Sequence, residues 1–142
     1  MALNSFGTLL KMGDGGSPTE TFTTIAEVGD IAGPEVTSDS KETTNHSSPN
    51  GFEEFVVTIK RTGQVTFPIN FTPSAATHSY ATGLLHDAYN QHLRNFQLVF
   101  PSSPAVTWSF AAYVQSFKPK APVNGVLGAD ITLRISGSPT FA

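Results

Sequence analysis

The sequence predicts a mainly β protein: an antiparallel β-sandwich or barrel of about eight strands with one flanking α-helix, in a single domain spanning residues 1–142. Three observations carry this. Charged residues make up only 13% of the chain, and polarity comes instead from 17 threonines and 14 serines, with 11 phenylalanines beside them; threonine and aromatics fit a pleated, half-buried surface. Val65, Phe67, Ile69 and Phe71 alternate with Thr66, Pro68, Asn70 and Thr72, the period of a strand with one face on a core. Only one stretch carries a helical period.

Taken in order, residues 7–12 read as a short strand, closed by the turn Gly13-Asp14-Gly15-Gly16-Ser17-Pro18. Residues 21–28 and 31–36 read as strands broken at Gly29-Asp30 and at Gly33-Pro34. The stretch Thr37-Ser38-Asp39-Ser40-Lys41-Glu42-Thr43-Thr44-Asn45-His46-Ser47-Ser48-Pro49-Asn50-Gly51 has no large apolar side chain, so it reads as a long polar loop with at most a short exposed strand near residues 41–44. Such a loop cannot offset its ordering cost with its own side chains. It is expected to be mobile in a free subunit and ordered between subunits. Residues 52–60 and 64–71 read as strands joined by a tight turn at Arg61-Thr62-Gly63, with Pro68 demanding an edge or a bulge.

The helical period is carried by Ala81, Leu84, Leu85, Ala88, Tyr89, His92 and Leu93, which predicts a helix over residues 77–91 with Leu84, Leu85 and Ala88 on the sheet. Ser74, Thr77 and Ser79 are its candidate caps, and Gly83 weakens it by about 1 kcal/mol relative to alanine. Residues 96–100 and 105–117 are the next strands, 118–125 a proline-stiffened connection, and 126–136 the closing strand.

Little points to chemistry. Cysteine is absent, which removes disulfides, thiolate metal sites and thiol nucleophiles. His46, His78, His86 and His92 include no i, i+4 pair on one helix face and read as ordinary surface or partly buried histidines. No Gly-x-Ser-x-Gly elbow is present, and the scattered Ser, His and Asp residues make no triad pattern. The glycines at 13–16 precede neither Gly-Lys-Ser/Thr nor a helix, so a hairpin turn is the better reading than a phosphate cradle. Glu53-Glu54 on a strand would face opposite sides. Trp108 and Phe110 share a face opposite Tyr113, which favours core packing over an aromatic platform. No catalytic, cofactor or metal residues are expected. No run of about 18 apolar residues suggests a membrane span, and the first twelve residues lack the pattern of a secretory signal. With eight Lys plus Arg, a net charge of −3 and no basic stretch longer than Lys60-Arg61, the footprint of specific nucleic-acid binding is missing. A weakly charged surface instead suits coverage by protein partners.

Several segments in a fixed order carry a resemblance. They begin with Gly7-Thr8-Leu9-Leu10-Lys11-Met12-Gly13-Asp14-Gly15 and the run Phe22 to Pro34. Glu42-Thr43-Thr44-Asn45-His46, Arg61-Thr62-Gly63-Gln64-Val65-Thr66-Phe67 and Gly83-Leu84-Leu85 follow. The ending comprises Tyr113-Val114, Ser116-Phe117 and the run from Asn124 to Phe141. Over nearly all 142 residues the chain resembles the tail tube proteins of siphophages, the lambda-like, non-contractile kind. No single motif is diagnostic; their order is.

The resemblance implies a structural virion protein and no enzyme. It implies a β-sandwich with a flanking helix, six copies to a ring, rings stacked into a tube, and duplex DNA passing without specific binding. The implied partners are further copies of the chain, a tape-measure protein, a tail terminator and distal tail or baseplate proteins. The implied place is the virion tail, with assembly in the host cytoplasm. Some relatives carry a C-terminal immunoglobulin-like domain, which is not expected here. If six subunits give four strands each, strands about 4.8 Å apart make a backbone circumference of about 115 Å and a diameter of about 40 Å or more, wide enough for duplex DNA.

The polar loop, residues 37–50, is the expected contact between subunits or rings. Residues 1–18 and 138–142 are weaker interface candidates. Glu35, Asp39, Glu42, Gln64, Thr66 and Asn70 are candidates for an acidic-to-neutral channel lining, while Lys60 and Arg134 should meet a neighbour or an acidic partner. The alternatives are a ligand- or carbohydrate-binding β-sandwich of a virion, adhesin-like, and the tube protein of a contractile or type VI-like system.

Overall fold

A computed structural model describes residues 2–16 and 19–141. Its strands are β1 (Leu9–Gly13), β2 (Phe22–Thr24), β3 (Val36–Glu42), β4 (Phe55–Thr62), β5 (Gln64–Asn70), β6 (Arg94–Phe100), β7 (Val106–Lys120), β8 (Gly128–Ile135) and β9 (Thr140–Phe141), with one helix, α1 (Leu84–Asn90), between β5 and β6. Seven strands form one antiparallel sheet in the order β2-β1-β6-β7-β8-β5, with β9 paired to β7. The other two, β3 and β4, pair only with each other.

The sheet curls until its edges meet. After β2 the chain continues along β1, where Ile25 N donates to Leu10 O at 2.9 Å, and then crosses to β5. There Gly29 N donates to Pro68 O (2.8 Å), Asn70 N to Glu27 O (3.1 Å), and Ala32 and Thr66 exchange N–H···O bonds of 2.9 Å. This seam replaces the two strands expected over residues 21–36. Glu27 has φ 52° and the chain bends at Gly33, so it touches β5 through two isolated bridges and not a ladder. Pro68 lies on the edge strand, as its missing N–H requires.

The alternation in β5 holds: Val65, Phe67 and Ile69 are buried and Phe71 is partly buried. They meet Ala129, Ile131, Leu133 and Ile135 of β8, Phe110, Ala112 and Val114 of β7, Phe96 and Leu98 of β6, and Leu10 and Met12 of β1 in one core. Trp108 packs edge-on against Phe100 and Phe141 while Tyr113 is exposed, the partition expected for β7.

The helix is shorter than its period suggests. It begins at Leu84 with Gly83 as N-cap, and none of Ser74, Thr77 or Ser79 caps it. Residues 74–83 are turns because their polar side chains bind nearby backbone, with Thr82 Oγ1 donating to Ala76 O at 2.9 Å. A Cβ on Gly83 would lie 2.5 Å from the backbone nitrogens of His78 and Ser79, so this glycine is a packing requirement and not a weak point. Leu84 is in the core, Ala88 packs against it, Leu85 is half-buried, and Tyr89, His92 and Leu93 are exposed.

Polar interior groups tie these parts together. His78 is fully buried, beyond the surface or partly buried position expected of it. Its Nδ1 accepts from Thr72 N (3.1 Å) and its Nε2 donates to Ala26 O (2.8 Å), which fixes the Nε2–H tautomer. Thr77 Oγ1 accepts from Ala26 N at 3.1 Å, so the turns before α1 clamp the crossing segment. Asp87, also fully buried, forms a two-bond pair with Arg94, whose Nη2 lies 2.8 Å from Asp87 Oδ1 and whose Nη1 reaches Gly13 O at 2.6 Å.

The glycine turn joins β1 and β2 as a hairpin. Asp14 Oδ1 accepts from Gly16 N (2.8 Å) and Thr21 N (3.1 Å), and these amides, Gly16 first, hold its carboxyl below the usual 3.8. Ser17 and Pro18 of the expected turn, with Met1 and Ala142 of the two weaker interface segments, lie outside the described residues. Finally, β7 runs on through Lys118-Pro119-Lys120 before turning, so the connection is confined to residues 121–127.

Candidate assembly surface

The two strands outside the barrel form an arm. It leaves after Pro34 and returns at Gly63, whose N–H donates to Glu35 O at 2.9 Å, so its two ends are bonded neighbours. Its root is sterically defined: Gly33 has φ +98° and a Cβ there would collide with the Gln64 carbonyl.

The expected tight turn at residues 61–63 is not formed. Arg61 and Thr62 belong to β4, and β4 and β5 are not partners. Residue pattern explains the choice. The alternating β5 needs an alternating partner and finds it in β8, whereas Phe55-Val56-Val57-Thr58-Ile59 does not alternate and would put apolar side chains on both faces. The polar loop expected over residues 37–51 is therefore strand through Glu42, registered from Val36↔Thr62 to Glu42↔Phe55 with an irregularity between Ser38 and Ser40. Its order comes from ladder bonds and not from buried side chains, the term that the composition argument leaves out.

Beyond Glu42 the tip is held by local hydrogen bonds. Thr44 Oγ1 accepts from Glu54 N (2.8 Å), Asn45 Oδ1 from Ser47 N (2.8 Å), and Ser48 Oγ accepts from Asn45 N (2.9 Å) while donating to Glu54 Oε2 (2.9 Å). A 3-10 turn at Pro49–Gly51 follows, with Asn50 at φ 56°. Glu53 and Glu54 lie in this loop and not on a strand. Asp39, at the register irregularity, pairs with Arg61 (Nη2–Oδ2 2.8 Å), and that guanidinium holds its carboxyl below 3.8.

The arm's most telling residues are ones the sequence reading passed over. Val36, Phe52, Phe55, Val56, Val57 and Ile59 are all at least half exposed. Six large apolar side chains on one projecting ribbon exceed what single subunits leave in water without a partner. Covering each fully would contribute about 1.5–3 kcal/mol. The available signal was an apolar run, Phe55-Val56-Val57-Thr58-Ile59, facing a strand whose one large apolar residue is Val36, a pattern that no single-layer core can bury.

The six channel candidates divide into two groups. Gln64, Thr66 and Asn70 are exposed on the outward face of β5, opposite Arg134, Thr132 and Gly128, and Gln64 Nε2 donates to Gln115 Oε1 of β7 at 2.9 Å. Glu35 sits at the arm's root, and Asp39 and Glu42 lie on β3. Lys60 and Arg134 are exposed, the first on the arm and the second on that outward face. Among the described residues no three His, Asp or Glu side chains gather as metal ligands do.

The subunit is a curled, seamed antiparallel sheet with a polar outward face and an arm that exposes apolar side chains. Sequence and fold comparisons make this specific. Residues 11–142 match the family described as lambda phage tail tube protein, and the chain belongs to that family. It is thus a phage tail tube protein, a structural component of a virion tail.

Solved structures share the fold. A chain from the tail of an empty gene transfer agent (GTA) particle, refined with C6 symmetry, superposes at TM-score 0.78 with 19% identity over 99% of both chains. A chain from the PVC sheath/tube terminator structure of an extracellular contractile injection system gives 0.73 at 13% identity, over 100% of this chain and 97% of that one. The SPP1 tail tube gives 0.66 at 15%, over 95% and 77%. No curated protein sequence matches.

Proposed function

We propose that this chain polymerises as stacked hexameric rings into the tube that conducts phage DNA during ejection, without catalysing any reaction. The observation that carries this is the arm, whose apolar side chains are exposed on a ribbon that pairs with no other strand among the described residues. The C6 symmetry of the GTA tail, which shares the fold, supports six copies per ring.

In this reading the outward face of β5, β8 and β7 turns to the channel. Core residues occupy the other face of these strands, and α1 packs against that inner side of β7, which places the helix toward the outside of the tube. Gln64, Thr66, Asn70, Thr132 and Gln115 would offer DNA a hydrated lining of short polar groups, with Arg134 a cation on the same face. Glu35, Asp39 and Glu42 would lie at or along the arm, on the route to a neighbour. A tape-measure protein, a tail terminator and distal tail proteins would complete the tail, assembled in the host cytoplasm.

Negative-stain microscopy of the purified protein tests the reading. Rings or tubes are expected; isolated monomers at every concentration would favour the adhesin-like alternative. The likeness to a chain of the PVC sheath-tube complex favours a second reading, a contractile tube, and co-purification of a sheath protein with the tubes would select it.

A further inference from the structure

The connection between β7 and β8 carries a chemistry that does not depend on which tube the chain builds. We propose that Asn124-Gly125 is a site of spontaneous covalent modification. In water its side-chain amide converts to aspartate and isoaspartate through a cyclic imide closed by the Gly125 nitrogen, while the fold protects the chain's other Asn-Gly step, Asn50-Gly51.

Glycine is the successor that favours closure, because a backbone nitrogen beside a residue without Cβ is unhindered and the chain there turns freely. The structure must then supply two things. The glycine N–H must be held by no acceptor, and the backbone must be able to bring that nitrogen over the asparagine side chain.

Asn50-Gly51 meets neither condition. Gly51 N donates to Ser48 O at 3.1 Å within the turn at Pro49–Gly51. Asn50 stands at φ 56°, ψ 18°, and a ψ near zero turns the following nitrogen away from the residue's own side chain.

Asn124-Gly125 is differently placed. Residues 123–126 neither donate nor accept a backbone hydrogen bond among the described residues, and the chain there is a bend without a closing turn bond. Asn124 and Gly125 are exposed, as are Val123 and Val126 on either side. Beyond them the chain is anchored again, where Leu127 O accepts from Phe71 N at 3.0 Å and Gly128 pairs with Lys120. The loop can therefore turn between fixed ends without disturbing the sheet.

The reaction balances with water alone. Hydroxide takes the Gly125 N–H proton and the nitrogen attacks Asn124 Cγ. An N–Cγ bond forms, the bond from Cγ to the side-chain nitrogen breaks, and that nitrogen leaves as ammonia with a proton from water. Water then opens the ring. Opening at Cγ leaves aspartate, and opening at the Asn124 main-chain carbonyl leaves isoaspartate, with the backbone rerouted through the side chain and one methylene longer. Either product adds a negative charge to a chain whose net charge is −3.

Tryptic mapping of purified protein held in mildly alkaline buffer tests this. Fragment 121–134 carries Asn124 as its one asparagine, and fragment 42–60 carries Asn45 and Asn50. In native protein the aspartate and isoaspartate forms should accumulate at Asn124 about tenfold faster than at Asn50, which must first give up a backbone hydrogen bond. In concentrated urea the two rates should converge, because the protection of Asn50 is lost with the fold. Asn124→Gln, whose longer side chain would have to close a larger ring, should leave fragment 121–134 unconverted. Equal rates in the native protein, conversion at Asn50 with Asn124 intact, or a tenfold difference that persists in urea would each overturn the proposal.

Discussion

At the scale of single residues, the clearest forecast concerns the buried pair Asp87–Arg94. Asp87 is fully enclosed and Arg94 is 13% exposed. Arg94→Ala would leave a carboxylate without its partner and strip Gly13 O of a donor, a loss of about 3–5 kcal/mol. Urea unfolding followed by the fluorescence of the single tryptophan, Trp108, measures it. Gly83→Ala is a sharper case, because helix propensity says it should stabilise by about 1 kcal/mol. The contacts at the Cβ position reverse the sign, and a loss of about 1–3 kcal/mol is expected from overpacking. A higher melting temperature for that variant would show that the turns before α1 can shift. Asp39 gives the pH forecast. Its folded-state carboxyl titrates below 3.8 because of Arg61, so the pair's contribution is present above that value and fades as pH falls through the lower, folded one. An NMR titration should place the Asp39 midpoint below 3.8, and Arg61→Ala should return it there. Both side chains are well exposed, so the arm should stay folded throughout.

At the scale of elements, excising residues 36–62 and joining Glu35 to Gly63 by one or two glycines should yield a soluble barrel with an unchanged Trp108 spectrum and no tubes. The hydrogen bond between the two ends makes the junction short. Tubes of ordinary length from this deletion would remove the arm from assembly. The barrel strands were legible from the residues because β5 and β8 alternate over a single core, and Pro68 asked of β5 an edge or a bulge, of which the fold takes the edge. The arm was not, because polarity was read as looseness: a strand needs only a ladder partner, and Thr37 to Glu42 borrow theirs from β4. The pairing of β4 was missed for a related reason. Adjacent strands flanking a glycine look like a hairpin locally, but register is decided by faces, and β4 carries Val56 apart from the alternating set Phe55, Val57 and Ile59. The helix start failed where Ser79 and Thr82 engage nearby backbone and hydroxyl groups. The surface of the arm was visible only as a run that ought to have been buried.

At the scale of the whole molecule, the outward face of β5, β8 and β7 should let DNA slide. Wild-type subunits should show no tight, salt-sensitive duplex binding at physiological ionic strength, whereas tubes carrying Thr66→Lys and Asn70→Lys should retain DNA with an affinity that falls steeply with salt. Equal retention by both would place that face away from the channel. The seam between residues 27–32 and β5 has a consequence for the waiting subunit. An unpaired strand edge is a template on which other chains can add without limit, the route to fibrous aggregates. Here the edge of β5 is already occupied by backbone from the same chain, β2 offers three residues, and the long open edges belong to the arm. Those edges carry Lys41, Lys60 and Arg61 and a register irregularity that interrupts flat stacking. The fold thus narrows the cheapest path to amyloid and favours side-chain recognition over strand addition as the way to grow.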